Sequence, residues 1–167
     1  MKISVGIIGV TGYAGQELLR ILTRHPSVSV RYLAARHLLV PKPVGELLPA
    51  FRGISSLKVC PFRLKEALKE CELLFLALPH GVSMGIAPSI LHQKGIRVID
   101  LSADFRLKSP SQFRKAYRIR HTHPSLLRSA VYGLPEWRRQ AIRRARWVAN
   151  PGCYPTAALL GLLPLGR

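Results

Sequence analysis

A cysteine set in Asn150-Pro151-Gly152-Cys153-Tyr154-Pro155-Thr156 is the strongest chemical signal in the sequence. A strand is expected to end near Asn150, and Pro151 and Gly152 to turn the chain. Pro155 suits the first turn of a helix, where its missing N–H costs nothing. Cys153 then stands at a helix start. Unpaired N–H groups at such a start favour thiolate over thiol, and the thiolate is the nucleophile. Near a nicotinamide, a nucleophilic sulfur suits acyl transfer to sulfur followed by hydride transfer. Cys60 and Cys71 lack this setting and read as small core residues. The three cysteines have no metal-like spacing, so neither a disulfide framework nor a metal site is expected.

The second signal is Gly9-Val10-Thr11-Gly12-Tyr13-Ala14-Gly15, between an apolar run and a helical pattern. Glycines spaced G-x-x-G-x-x-G permit a tight turn with positive φ and let backbone approach a pyrophosphate on the helix-start N–H groups. Thr11 adds a hydroxyl donor. A glycine triplet alone also marks a plain strand-to-helix turn; its place at the first such turn of an alternating chain favours the dinucleotide reading. The next strand ends Leu33-Ala34-Ala35-Arg36-His37, without the carboxylate that would hold a ribose 2′-hydroxyl. The planar, permanently charged fork of Arg36 suits a 2′-phosphate instead, which favours NADP over NAD.

Positioning these groups falls to an alternating set of elements. Strands are expected at Ile3 to Ile8, Val28 to Ala34, Leu57 to Val59, Leu73 to Leu78, Ile96 to Leu101, Ala130 to Leu134 and Trp147 to Ala149. Helices are expected at Tyr13 to Thr23, Arg63 to Cys71, Val82 to Lys94 (interrupted by Pro88) and Ser111 to Tyr117. Arg36 to Gly53, with Pro41, Pro43, Gly45 and Pro49, reads as loop. Apolar runs without clean alternation indicate a parallel sheet covered on both faces, an α/β, Rossmann-like fold. The expected division is a dinucleotide-binding domain over 1–150 and the start of a second domain over 151–167.

The 26 basic and 8 acidic residues give a net charge of +18. Such a surface can attract phosphates, nucleic acid or anionic membranes. The arginines are spread along the chain with no nucleic-acid motif beside them, so a solvated basic surface is expected, not a nucleic-acid partner. Leu73 to Leu78 and Ala157 to Leu163 are too short to span a bilayer. The first residues read as strand and turn, not as a secretory leader, which makes cytoplasm the expected compartment.

The segment from Ala149 through Pro164 resembles the active-site signature of the N-acetyl-gamma-glutamyl-phosphate reductases of arginine biosynthesis. Gly9 through Gly15, Ala77-Leu78-Pro79-His80-Gly81, Asp100-Leu101-Ser102-Ala103-Asp104-Phe105-Arg106-Leu107 and Tyr132-Gly133-Leu134-Pro135-Glu136 resemble the same family, in the same order. Aspartate-semialdehyde dehydrogenases and reductases of carrier-bound aminoadipyl phosphate are related, but Gly-Cys-Tyr-Pro-Thr is nearer the arginine-pathway enzymes. The resemblance implies attack by Cys153 on the acyl phosphate, a thioester, and reduction by NADPH to the semialdehyde. It implies cofactor contacts at Gly9, Thr11, Gly12, Tyr13, Ala14, Gly15, Arg36, Pro79, His80 and Gly81. Arg106 becomes the candidate for the substrate phosphate, with an ion pair to Asp104 or Asp100 as the competing reading. The family forms homo-oligomers and carries a second, α+β domain with an acid/base histidine. None of His25, His37, His80, His92, His121 and His123 matches that histidine by motif. The chain then reads as half an enzyme, needing the missing C-terminal domain or a complementing chain, with an exposed apolar helix at Ala157 to Leu163. A non-catalytic dinucleotide-binding module is the alternative.

Overall fold

Short apolar runs joined by amphipathic stretches build the chain. The computed structural model describes residues 2–166. They form two compact units, one running to Leu78 with Gly95–Arg97 added, the other comprising Pro79–Lys94 and the residues from Val98 onward.

In the first unit, β1 (Ile3–Ile8) pairs in parallel with β2 (Val28–Ala35) on one side and β5 (Leu73–Leu76) on the other. β2 also pairs in parallel with β4 (Lys58–Pro61), and the two-residue β3 (Lys42–Pro43) lies antiparallel at the edge. The order is β3-β4-β2-β1-β5. Val5, Ile7 and Ile8 are at most 1% exposed, so both faces of β1 are covered, as its unbroken apolar run predicts. Helices α1 (Tyr13–Leu22), α2 (Val44–Leu47) and α3 (Leu64–Glu70) make the connections. α1 buries Gly15, Leu19 and Leu22, one stripe at helical spacing. Because the neighbours of β1 lie on opposite sides, the chain reverses direction across the sheet at its carboxyl end, the position where open α/β sheets form a crevice.

In the second unit, β6 (Arg97–Asp100, its first residue in the other unit) pairs in parallel with β8 (Trp147–Ala149), which pairs in parallel with β7 (Ala130–Tyr132). Helices α4 (Ser83–Leu91), α5 (Pro110–Tyr117), α6 (Pro135–Arg144) and α7 (Cys153–Leu162) surround them. Trp147, Phe105 and Phe113 are fully buried. His121 sits edge-on to both phenylalanines, at 5.3 and 5.2 Å between centroids. Ser109 caps α5 by accepting from the Gln112 N–H, and Arg118 ends it in the left-handed region.

Helices cover both faces of parallel strands, so the fold is of the expected α/β, Rossmann-like class. Three details differ from the sequence reading. Residues 42–51 hold β3, α2 and a 3-10 turn (Pro49–Phe51) where loop is expected. Pro88 lies inside α4 without ending it. α6 is a helix that no apolar period announces, because it buries no residue. Among the described residues no helix is long and apolar enough to cross a membrane.

Candidate active site

The glycine turn in the first unit separates into two kinds of glycine. Gly9 has φ +92, and a Cβ on it would lie 2.2 Å from the Ala77 carbonyl oxygen. Gly15 lets α1 rest on the turn: a Cβ there would lie 2.3 Å from the Gly9 oxygen. Packing therefore dictates both. Gly12 is different, since a Cβ on it would meet nothing nearer than the Gly9 oxygen at 3.6 Å. The fold does not require glycine there; a ligand backing onto the turn would. The Gly9 and Val10 N–H groups both donate to the Ala34 oxygen and the Gly12 N–H to the Gly9 oxygen, which fixes the turn against β2. Gly12 is also the N-cap of α1, with no side chain capping the helix. Thr11, Gly12, Tyr13 and Ala14 are exposed, with Tyr13 95% so. The open helix start and the small residues around it fit a pyrophosphate.

Arg36 follows directly on β2, whose Ala34 is paired with Ile8 of β1, so Arg36 and the glycine turn share one edge of the unit. Arg36 is exposed and makes no ion pair among the described residues. Its charge is available to a ligand.

The second unit holds the other candidates. Cys153 is the first residue of α7 and is exposed. Gly152 is the N-cap, again without a side-chain cap, and its oxygen accepts the Thr156 N–H at 3.0 Å. Beside this helix start lies Arg106. Its Nε donates to the Asn150 oxygen at 2.8 Å and one terminal nitrogen to the Leu101 oxygen at 2.7 Å. The other terminal nitrogen, Nη1, lies 3.0 Å from where a Cβ on Gly152 would sit. Glycine makes room, and the guanidinium is held by two carbonyls with one nitrogen left over at the helix start. Among the described residues Arg106 makes no salt bridge to Asp104 or Asp100, against the competing ion-pair reading: Asp104 accepts from the Gly81 and Met84 N–H groups, and Asp100 Oδ1 from Ser83 and Ser102.

Asp100 is fully buried and accepts from the Ser83 hydroxyl and the Ser102 N–H, both at 2.9 Å and both on Oδ1. Oδ2 is buried with no partner among the described residues. Burial, outweighing those hydrogen bonds, pushes its carboxyl up to about 6. Asp104 and the Pro79-His80-Gly81 loop are bound together: the Gly81 N–H donates to Asp104 Oδ1 at 2.7 Å, and the Ala103 N–H donates to His80 Nδ1 at 3.0 Å. The sequence reading also missed Tyr132. Its phenol is pushed up chiefly by burial while the charge of Arg106 pulls it down, so the two lie within electrostatic reach. Only its place in a matched run could have flagged it.

His25, His92 and His121 make local contacts within the fold. His25 Nδ1 accepts from the Ser27 N–H just past α1, and His92 Nδ1 pairs with the Pro88 oxygen. His121 accepts from the His123 N–H, and burial holds its imidazole below the usual range. Among the other cysteines, Cys60 is half-buried, and burial pushes the Cys71 thiol up to about 12. No residue of α7 is buried, and Tyr154 is 85% exposed, matching the apolar exposure expected of this segment.

Residues 4–145 match the family model described as semialdehyde dehydrogenase, NAD binding domain. Over 163 residues the chain is 49% identical to an N-acetyl-gamma-glutamyl-phosphate reductase of Acinetobacter baumannii (strain AYE), covering 98% of this chain and 46% of that protein. The same-named protein of Janthinobacterium sp. (strain Marseille) is also 49% identical over 163 residues, with the same coverage. The chain thus spans about half the length of the curated relatives it matches. Among solved structures, aspartate semialdehyde dehydrogenase with NADP from Candida albicans superposes with a TM-score of 0.65 at 16% identity, over 99% of this chain and 47% of that one. The enzyme of the same name from Francisella tularensis gives 0.65 at 14% identity, over 98% and 41%. At these identities the likeness is one of fold.

Proposed function

This chain belongs to the semialdehyde dehydrogenase, NAD binding domain family, and from that premise we propose that it is the cofactor-binding half of an N-acetyl-gamma-glutamyl-phosphate reductase. The reaction is the NADPH-dependent conversion of N-acetyl-glutamyl 5-phosphate to N-acetyl-glutamate 5-semialdehyde and phosphate. The observation that carries the reading is the pairing of an exposed cysteine at an uncapped helix start with an arginine whose free nitrogen faces that start.

The first unit holds the dinucleotide. Backbone around Gly9, Thr11, Gly12, Tyr13, Ala14 and Gly15 takes the pyrophosphate, and Arg36 takes the 2′-phosphate. The resemblance also assigns Pro79, His80 and Gly81 to cofactor binding, and they belong to this proposal as such. The chemistry supplied by bound NADPH is hydride donation. Cys153 sulfur bonds to the acyl carbon as the carbon–oxygen bond to phosphate breaks, and the phosphate leaves with that electron pair. Arg106 holds the phosphate, or the developing negative charge, beside the α7 start, and the helix-start N–H groups stabilise the oxyanion. After reduction, the carbon–sulfur bond breaks, the semialdehyde leaves and the Cys153 thiolate is restored.

The division into a cofactor domain over 1–150 and the start of a substrate domain over 151–167 belongs to this proposal. So do homo-oligomerisation and a C-terminal domain, or a complementing chain, that supplies the acid/base histidine and covers α7. A cytoplasmic location fits the three free cysteines. The direct test is the reverse reaction: NADP reduction by N-acetyl-glutamate semialdehyde with phosphate, for this chain alone and mixed with a separately produced C-terminal half of a relative. Activity in the mixture that disappears with Cys153→Ala supports the proposal; no activity in either sample counts against it.

The family model, which describes an NAD binding domain, favours one second reading, a dinucleotide-binding module without catalysis. Thiol labelling separates the two. A nucleophile reacts faster at Cys153 than exposure alone explains, whereas a module does not require it to.

A further inference from the structure

One guanidinium joins the ends of two strands. Asp100 ends β6, and Ala149, its register partner, ends β8. The Asn150 N–H donates to the Asp100 oxygen at 2.8 Å, which carries the ladder one residue further. The next carbonyls, Leu101 and Asn150, are the two that Arg106 takes, through Nη2 at 2.7 Å and Nε at 2.8 Å. Nε and Nη2 form one edge of the planar guanidinium, so the two bonds fix its plane as well as its position. Nη1 lies outside that edge, 3.0 Å from where a Cβ on Gly152 would sit. Its direction at the α7 start therefore depends on where the Leu101 and Asn150 carbonyls point.

Asp100 controls the first of these carbonyls. The Leu101 C=O and the Ser102 N–H belong to one planar trans peptide unit, so they point in opposite directions. The Ser102 N–H donates to Asp100 Oδ1 at 2.9 Å, a side chain bonding the backbone two residues on. Holding that N–H sets the Leu101 carbonyl toward Arg106. The carboxyl is itself locked in place. It is fully buried, and the hydroxyl of Ser83, also fully buried at the first position of α4, donates to the same Oδ1 at 2.9 Å. Oδ2 takes no part, having no partner among the described residues. All of these groups lie in the second unit.

We propose that Asp100 is a positioning residue: by holding the Leu101–Ser102 peptide through Oδ1 and the Asn150 N–H through its backbone oxygen, it aims Nη1 of Arg106 at the anion bound beside Cys153. The inference rests on the reading of Arg106 as the holder of the substrate phosphate or the developing negative charge. Asp100 is buried and acts through Arg106, without contact to the anion. The side chain works through one acceptor oxygen, Oδ1. A neutral amide can therefore replace the carboxylate, and an aliphatic side chain cannot.

Two readouts on the full chain test it, and only one of them involves Cys153. The first is nitrogen-15 NMR of the Arg106 Nε–H, whose bond to the Asn150 oxygen should slow its exchange with water below that of the exposed Arg36. The second is the ratio of iodoacetate to iodoacetamide labelling at Cys153 relative to Cys60. Both reagents consume the thiolate and differ in charge, so the ratio reads the guanidinium at the thiol. Asp100→Ala should speed the Arg106 exchange about fivefold or more and remove most of the excess ratio at Cys153. Asp100→Asn keeps an acceptor oxygen for Ser102 and Ser83 and should hold both readouts at the level of the natural chain. Circular dichroism confirms that each variant is folded. A folded Asp100→Ala with both readouts unchanged overturns the proposal. So does an Asp100→Asn that loses as much as Asp100→Ala. Arg106 exchange in the natural chain as fast as that of Arg36 also overturns it, and that result needs no variant. If exchange quickens in Asp100→Ala while the natural Cys153 ratio equals that of Cys60, the positioning of Arg106 stands and the reading of Arg106 as the anion holder fails.

Discussion

Arg106→Gln is expected to abolish a preference of Cys153 for anionic electrophiles. Iodoacetate and iodoacetamide consume the same thiolate, so the ratio of their rates at one cysteine cancels the thiolate fraction and leaves the field acting on the reagent's carboxylate. In the natural chain that field comes from a guanidinium held by the Asn150 and Leu101 carbonyls, its Nη1 facing the α7 start beside Gly152. A carboxylate docked at the sulfur would lie roughly 5 Å from that charge. At an effective dielectric of roughly 40 to 80, suited to a half-exposed site, Coulomb's law gives about 1–2 kcal/mol. That is about a 4- to 20-fold higher ratio at Cys153 than at an unassisted thiol. Cys60 serves as the internal reference, since it is partly accessible. Cys71, buried and with its thiol pushed up to about 12, should label with neither reagent on the same timescale. Arg106→Gln should bring the Cys153 ratio to that of Cys60, and Arg106→Lys should leave it between the two, because the charge stays and the fork is lost. Site-resolved mass spectrometry at low and high salt reads every arm, with circular dichroism confirming that each variant is folded. A Cys153 ratio equal to that of Cys60 in the natural chain, or unchanged in Arg106→Gln, refutes the assignment of Arg106 to the substrate anion.

Gly9→Ala should lower stability by about 3 kcal/mol or more, from positive-φ strain plus the clash with the Ala77 oxygen, seen as a lower denaturant midpoint. Gly12→Ala should leave that midpoint within about 1 kcal/mol and yet weaken NADPH, because only a ligand requires glycine there. Arg36→Asp should cost NADPH at least about tenfold in affinity, about 1.4 kcal/mol, and cost NADH less, as measured by fluorescence titration. Asp100 holds its proton more tightly in the folded chain, up to about 6, than in the unfolded chain, so its contribution to stability falls as pH rises from about 4 to about 6. Its loss is at most about 3 kcal/mol, and Asp100→Asn should flatten that slope and unfold at higher denaturant above pH 6.

The parts of this molecule legible in the sequence are those with a local signature. β1 and β8 match their apolar runs residue for residue, and Cys153 falls at the first position of α7 because Pro151, Gly152 and Pro155 leave little else open. The α1 stripe of Gly15, Leu19 and Leu22 is a periodic pattern that any helix facing a core must show. α6 escapes for the converse reason: none of its side chains is buried, so little imposes a period, and only Pro135 and Glu136 mark its start. The short β3, α2 and 3-10 turn over 42–51 are held by distant partners, such as the β3–β4 pairing, which no local pattern can report. At the candidate site the sequence supplies the residue types, while fate depends on long-range hydrogen bonds. Arg106 could pair with a carboxylate or serve a ligand until both aspartates are found bound to residues 81–84 and 102.

The most direct test of the account is acylation of Cys153 itself. The chain is mixed with N-acetyl-glutamyl phosphate, quenched at low pH and mapped by mass spectrometry, with and without NADPH. The account predicts an acyl adduct confined to Cys153, removed by hydroxylamine, absent in Cys153→Ala and depleted when NADPH is added. An adduct that distributes over Cys60 and Cys153 according to exposure, or none at all under conditions where Cys153 reacts with iodoacetate, would contradict it.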